Sequence, residues 1–166
     1  QMKSSKKQLL DLRGIITVLN TPFTEENEVD FLSLLKNVRR AMDAGDAGFL
    51  VPAMASEVNK LTMLERKKIV DSVLEVVKGK VPVIGGASAS SQDQRVKIAR
   101  SLVDSGCDGV LVNIPYENEE QYRTAVETVA RVDPPFLMLQ DWDFQGYGIP
   151  VDLICDLFSE MPCFRA

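Results

Sequence analysis

Gly106-Cys107-Asp108-Gly109-Val110-Leu111-Val112-Asn113-Ile114-Pro115-Tyr116 is the stretch on which the fold turns. Gly106 closes one segment of helical period, and a β-branched run follows at once. Gly109–Ile114 does not alternate apolar with polar. A strand that is apolar on both sides is covered on both sides, which is the condition of strands in parallel sheets. Four more runs share this character: Gly14–Leu19, Ala47–Val51, Val81–Gly85 and Phe136–Leu139. A last piece, Cys163–Ala166, has the look of a sixth run beginning. The run starts lie about 27–34 residues apart, the length of one strand-plus-helix unit.

The intervening segments carry helix signals. Asp30 precedes Phe31, Leu34, Leu35, Val38 and Met42, which fall on one helical face. Thr62 with Glu65 and Ser91 with Gln94 have the spacing of capping boxes. Asn118 opens a further helix, and Pro150 suits a first helical position. Gly45, Gly79 and Gly106 fall just past helix ends, where a left-handed residue is wanted. Strand and helix in alternation give an α/β protein with a helix-covered parallel sheet. Pattern alone leaves an incomplete (β/α)8 barrel and an open doubly wound sheet equally open. Residues 1–13 read as an N-terminal arm and 14–166 as one domain.

Composition narrows the function classes. The chain has 166 residues, 45% apolar and 26% charged, with 19 basic against 24 acidic side chains and a net charge of −5. An acidic chain without a basic block is a poor partner for nucleic acid or an anionic membrane. No apolar run reaches the roughly 20 residues that span a bilayer. The three cysteines form no CxxC pair, and a reducing, cytoplasmic setting fits them. Histidine is absent, which excludes Ser-His-Asp and Cys-His nucleophilic sites and histidine-ligated metals within these residues. No metal and no cofactor is expected. Neither GxGxxG nor GxxxxGK[ST] occurs, which weighs against a nucleotide-binding open sheet.

In both parallel folds the chemistry sits at the carboxyl ends of the strands. The tips are Asn20-Thr21-Pro22, Pro52-Ala53-Met54-Ala55-Ser56-Glu57, Gly85-Gly86-Ala87-Ser88, Asn113 to Glu117, and Gln140-Asp141-Trp142-Asp143. Each has a plainer reading. Thr21-Pro22 can end a strand, Gly85-Gly86 can admit close backbone packing, and Tyr116 can be a packed aromatic. The carboxylates at the fifth tip lean toward function.

In their order and spacing these segments resemble the dihydrodipicolinate synthase / N-acetylneuraminate lyase family. The resemblance runs from Gly14–Phe23 through Gly48–Val51, Glu57, Leu61-Thr62, Glu65-Arg66, Val81–Gly86 and Gly106–Tyr116 to Pro135–Leu139. It implies a (β/α)8 TIM barrel, present here as about five βα units and the start of a sixth strand. It implies a homo-oligomer, dimer or tetramer, and class I aldolase chemistry on pyruvate or another 2-keto acid. A lysine on the sixth strand would form the Schiff base, a fifth-strand tyrosine would shuttle protons, and a Gly-Thr-Thr-Gly-Glu loop would hold the carboxylate. Here that loop reads Ala53-Met54-Ala55-Ser56-Glu57, and Gln140 replaces the tyrosine. The family's tandem tyrosine after the fourth strand becomes Tyr116-Glu117. The lysine is expected one to three residues after Ala166.

The resulting expectation is a divergent Schiff-base aldolase or lyase. Gln140, Tyr116, Glu117 and Asp141 are its candidate catalytic residues. Met54, Ala55, Ser56, Glu57 and Thr21 are candidates for substrate binding. The alternative is a barrel of the same fold that binds a small acid, or self-assembles, without catalysis.

Overall fold

The computed structural model describes residues 12–142 and 148–166. Most of the expected arm and Asp143 lie outside the described residues. Five short strands form one parallel sheet in chain order: β1 Ile16–Val18, β2 Gly48–Val51, β3 Val83–Gly86, β4 Gly109–Val112 and β5 Leu137–Leu139. Helices α1 Phe31–Asp43, α2 Met63–Val77, α3 Gln92–Ser105, α4 Glu119–Ala130 and α5 Val151–Glu160 alternate with them. After α5 the chain returns beside β5. Leu137 bridges Phe164 in parallel, and Leu137 N–H donates to Cys163 O while Arg165 N–H donates to Leu137 O. The sixth strand therefore begins where the sequence pattern places it.

Side-chain alternation sorts the strands into two faces. Phe49, Val51, Val83, Val110, Val112 and Leu137 pack under the helices. Leu50, Ile84, Leu111 and Phe136, with Leu12, Ile16 and Met138 against them, form a separate cluster on the opposite face. Both faces are apolar because both are covered. Gly109 belongs to this second face: a β-carbon there would meet the Phe136 ring at 2.3 Å, so glycine makes room for the aromatic.

The helices start and stop as the sequence signals, with local differences. Asp30 Oδ1 accepts from Ser33 N–H at 3.0 Å. Thr62 and Glu65 form the full capping box, with Glu65 Oε2 accepting from Thr62 N–H at 2.7 Å. At α3 only half of the box is made: Gln94 N–H donates to Ser91 Oγ, while its side chain accepts from Ser90 Oγ. Pro150 is the cap residue rather than the first helical one, since Ile154 N–H already reaches its carbonyl. Lys78, left-handed itself, ends α2 one residue before Gly79.

These caps set an acid limit on stability. Hydrogen bonds from Ser33 hold the Asp30 carboxyl below its ordinary 3.8, and bonds from Thr62 hold Glu65 below 4.5. The folded values lie below the unfolded ones. Their stabilisation is complete above the unfolded values and is lost as pH falls through the folded values. Melting temperatures taken from about pH 6 to pH 2 should fall at the acid end. Glu65→Gln should flatten that limb; an unchanged acid limb in that variant counts against the cap.

Candidate functional site

Chain polarity brings every strand tip to one rim, and the loop after β2 is its most tightly tied part. Ser56 is fully buried and serves as the knot. Its hydroxyl donates to Leu19 O at the end of β1 and accepts from Ala53 N–H at 2.9 Å. Thr21 Oγ1 then donates to Ser56 O at 2.7 Å. Thr21 is itself buried, so both hydroxyls are committed to joining the first two tips. The loop is thereby bent into a 3-10 turn, Met54–Ser56, with a second at Val58–Lys60. Ser56 N–H and Glu57 N–H close it on Ala53 O and Met54 O. Met54 and Ala55, both exposed, are left with amides that make no hydrogen bond among the described residues. Two adjacent N–H groups at a strand tip are suited to a carboxylate. Glu57 adopts the left-handed conformation and pairs with Lys60 at 3.3 Å, at the surface.

Arg66, quoted above only as part of the resemblance, has a structural role at this rim. From α2 its guanidinium donates to Val58 O at 2.7 Å, Leu61 O at 3.1 Å and Ser88 O at 3.4 Å. One side chain thus ties the loop after β2 to the loop after β3. Partial burial draws its pKa down from the usual arginine value. Nothing local in the sequence marks such a clamp, because its acceptors are all main-chain carbonyls. Beside it a cavity of about 620 Å3 is lined by Asn59, Arg66, Ser88, Gln94, Lys97 and Asn113.

The fourth and fifth tips are joined by Asn113. Its Nδ2 donates to Gln140 O at 2.9 Å and to Trp142 O at 3.1 Å. Gln140 continues the ladder, its N–H donating to Val112 O at 2.8 Å. By alternation from Met138, Gln140 lies on the face of the Leu50–Leu111 cluster, and Asn113 follows from Leu111. Asp141 turns the other way. Its Oδ2 accepts from Ile149 N–H at 3.2 Å, on the helix-covered side. Tyr116 also packs there, its ring centroid 5.7 Å from that of Tyr122. Glu117 is exposed. Asp141 and Tyr116 thus share the helix-covered side, Gln140 falls by alternation on the opposite face, and Met54 and Ala55 stand exposed at the tip of β2. Among the described residues no group of three or more His, Cys, Asp or Glu is placed to hold a metal ion.

Tyr122 is buried and its hydroxyl has no hydrogen-bond partner among the described residues. Burial, and then the charge of Asp141, push its pKa well above the ordinary 10.0. The folded chain therefore keeps this proton where the unfolded chain gives it up, and stability falls as pH rises past 10.0. Tyr122→Phe removes an unsatisfied buried hydroxyl. It is expected to raise unfolding stability by about 1 kcal/mol at neutral pH and to flatten the alkaline limb. Denaturant titrations at neutral and alkaline pH check both; a loss of stability would mean that the hydroxyl has a partner.

Parallel strands in chain order, with the tips tied as described, are what a family comparison must match. Residues 11–133 match the model of the Dihydrodipicolinate synthetase family. The chain belongs to this family. Among similar members of the dihydrodipicolinate synthetase family is the 4-hydroxy-tetrahydrodipicolinate synthase of Salinibacter ruber, 29% identical over 154 residues, or 90% of this chain and 51% of that protein. The corresponding synthase of Gluconacetobacter diazotrophicus is 32% identical over 89% of this chain and 48% of its own length. In structure the chain matches the dihydrodipicolinate synthase of Aquifex aeolicus with a TM-score of 0.83, at 26% identity, over 92% of this chain and 54% of that one. The chain thus spans about half the length of these relatives. In this family the sheet is part of a TIM barrel. The Leu50–Leu111 cluster then lies on the barrel's interior face and the tip loops on its carboxyl-end rim. No helix among the described residues is long and apolar enough to cross a membrane.

Proposed function

We propose that the whole protein is a divergent class I aldolase or lyase that holds pyruvate or another 2-keto acid as a Schiff base. The observation that carries this is the loop after β2, whose Met54 and Ala55 amides make no hydrogen bond among the described residues, at the strand-end rim that also carries Gln140. They would take the carboxylate through main-chain donors, in place of threonine hydroxyls this sequence lacks. Thr21 and Ser56 serve by shaping that loop rather than by touching the ligand.

The nucleophile would come from the sixth strand. Phe164 packs under the helices, so Arg165 takes the opposite face. The position after Ala166 would follow Ala166 in the same alternation and share that interior face. A lysine there would be flanked by apolar strands, and desolvation would lower its pKa and free the amine. It would attack the keto carbon, expel water and leave an iminium that withdraws electrons from the adjacent carbon. Gln140 has no exchangeable acid proton near neutral pH, so it would bind and orient while a water or another carboxylate moves the proton.

A second reading, a barrel that binds a small acid without catalysis, is favoured by Gln140 and by the hydroxyl-free Ala53-Met54-Ala55 segment. Borohydride reduction of the full-length protein with pyruvate, followed by mass spectrometry, separates the two. One reduced pyruvyl group on a sixth-strand lysine is expected. Pyruvate binding without any trapped adduct would establish the second reading instead.

A further inference from the structure

Asn113 interrupts an apolar strand end with a carboxamide, and both hydrogen bonds of its Nδ2 go to the neighbouring tip. Gln140 O and Trp142 O are two residues apart, so one amide group spans the turn between them. From the other side, Ile149 N–H holds the carboxylate of Asp141, the residue in the middle of that turn. Gly148 packs against the same carboxylate: a β-carbon there would lie 2.6 Å from Asp141 Oδ2. The turn is thus pinned from both faces. The remaining side chain, that of Gln140, is left on the interior face, half-buried, with none of its own atoms in a recorded hydrogen bond among the described residues.

We propose that Asn113 is the positioning residue of this site: its carboxamide fixes the Gln140–Trp142 turn and so holds the Gln140 side chain against the bound keto acid. Only the ligand in this statement rests on the Schiff-base reading; the pinned turn does not. A glutamine side chain has three rotatable bonds, and its amide is useful to a ligand only when the main chain beneath it is set. Asn113 supplies that setting from β4, a strand that pairs with β5 directly. Polar readout by Gln140 and the amide that places it are one device made from two neighbouring tips.

The test uses the full-length protein, with pyruvate and borohydride as the probe. Asn113→Ala is expected to raise the pyruvate concentration that half-saturates trapping about tenfold, the scale of one or two lost hydrogen bonds. Hydrogen–deuterium exchange at Gln140, whose N–H donates to Val112 O at the start of the turn, should speed up in the same variant. Asn113→Asp, near-isosteric but without the donors, should do the same if the alanine variant folds poorly. In a Gln140→Ala background the Asn113 substitution should change half-saturation less than about twofold, because its effect passes through Gln140. A tenfold loss that persists in that background overturns the proposal, as does exchange at the turn that stays at the wild-type rate. If the wild type traps no pyruvate, the Schiff-base reading fails. Exchange at the turn then decides the Asn113 assignment by itself, faster exchange supporting it and unchanged exchange overturning it.

Discussion

Replacing Gly86 by alanine lowers the unfolding free energy by about 3 kcal/mol or more, the largest effect expected of any single methyl group in this chain. A β-carbon at Gly86 would stand 1.8 Å from Pro52 O and 3.0 Å from Pro52 C. Both are main-chain atoms, in the segment that leads from β2 into the Met54–Ser56 turn. No rotamer change relieves the contact; the loop must move. Gly85 provides the internal control. Its β-carbon would meet the Leu102 side chain at 2.5 Å, the far end of a flexible group, so Gly85→Ala should cost only about 1 kcal/mol. Chemical denaturation of the two variants side by side checks this. Equal losses would show that the loop after β2 yields as easily as a leucine side chain.

Ser56→Ala is the second large effect, at about 2–4 kcal/mol. The hydroxyl is buried and serves both Leu19 O and Ala53 N–H. Alanine leaves a carbonyl and an amide unsatisfied together, each costing about 1–3 kcal/mol. Ser56→Gly removes the same atoms and should be no milder. Thr21→Val, which removes only the donor to Ser56 O, should cost less, about 1–2 kcal/mol. A Ser56→Ala variant with wild-type stability would mean that water replaces the hydroxyl. If ligand retention is measured alongside, the Ser56 variant should bind pyruvate more weakly than Thr21→Val, because the Ser56 hydroxyl also holds Ala53 N–H, inside the turn that presents the Met54 and Ala55 amides.

Much of this was readable in the residues. Runs that are apolar on both faces require a covered parallel sheet, and their spacing requires an intervening helix. Asp30, Thr62 and Asn118 were legible as caps because a cap bonds within three residues of itself. The start of a sixth strand was legible from the spacing of the apolar runs, and Phe164 bridges Leu137 where that spacing puts it. The tip positions followed from chain polarity alone.

What each tip side chain does was decided by the tertiary structure. Thr21 and Ser56 carry hydroxyls that a sequence reading assigns to a ligand, yet both join the first two strand tips, across 35 and 37 residues of chain. Gln140 and Asp141 are adjacent and equally polar, but strand alternation and the Ile149 amide send them to opposite faces. Asn113 and Arg66 act on main-chain carbonyls of other loops, and a carbonyl is present at every residue, so no residue type marks the partner. Local bonds and the period of apolar residues are properties of the chain itself. Which polar group is spent on the scaffold and which is left for a ligand depends on long-range register, and only the folded sheet sets that.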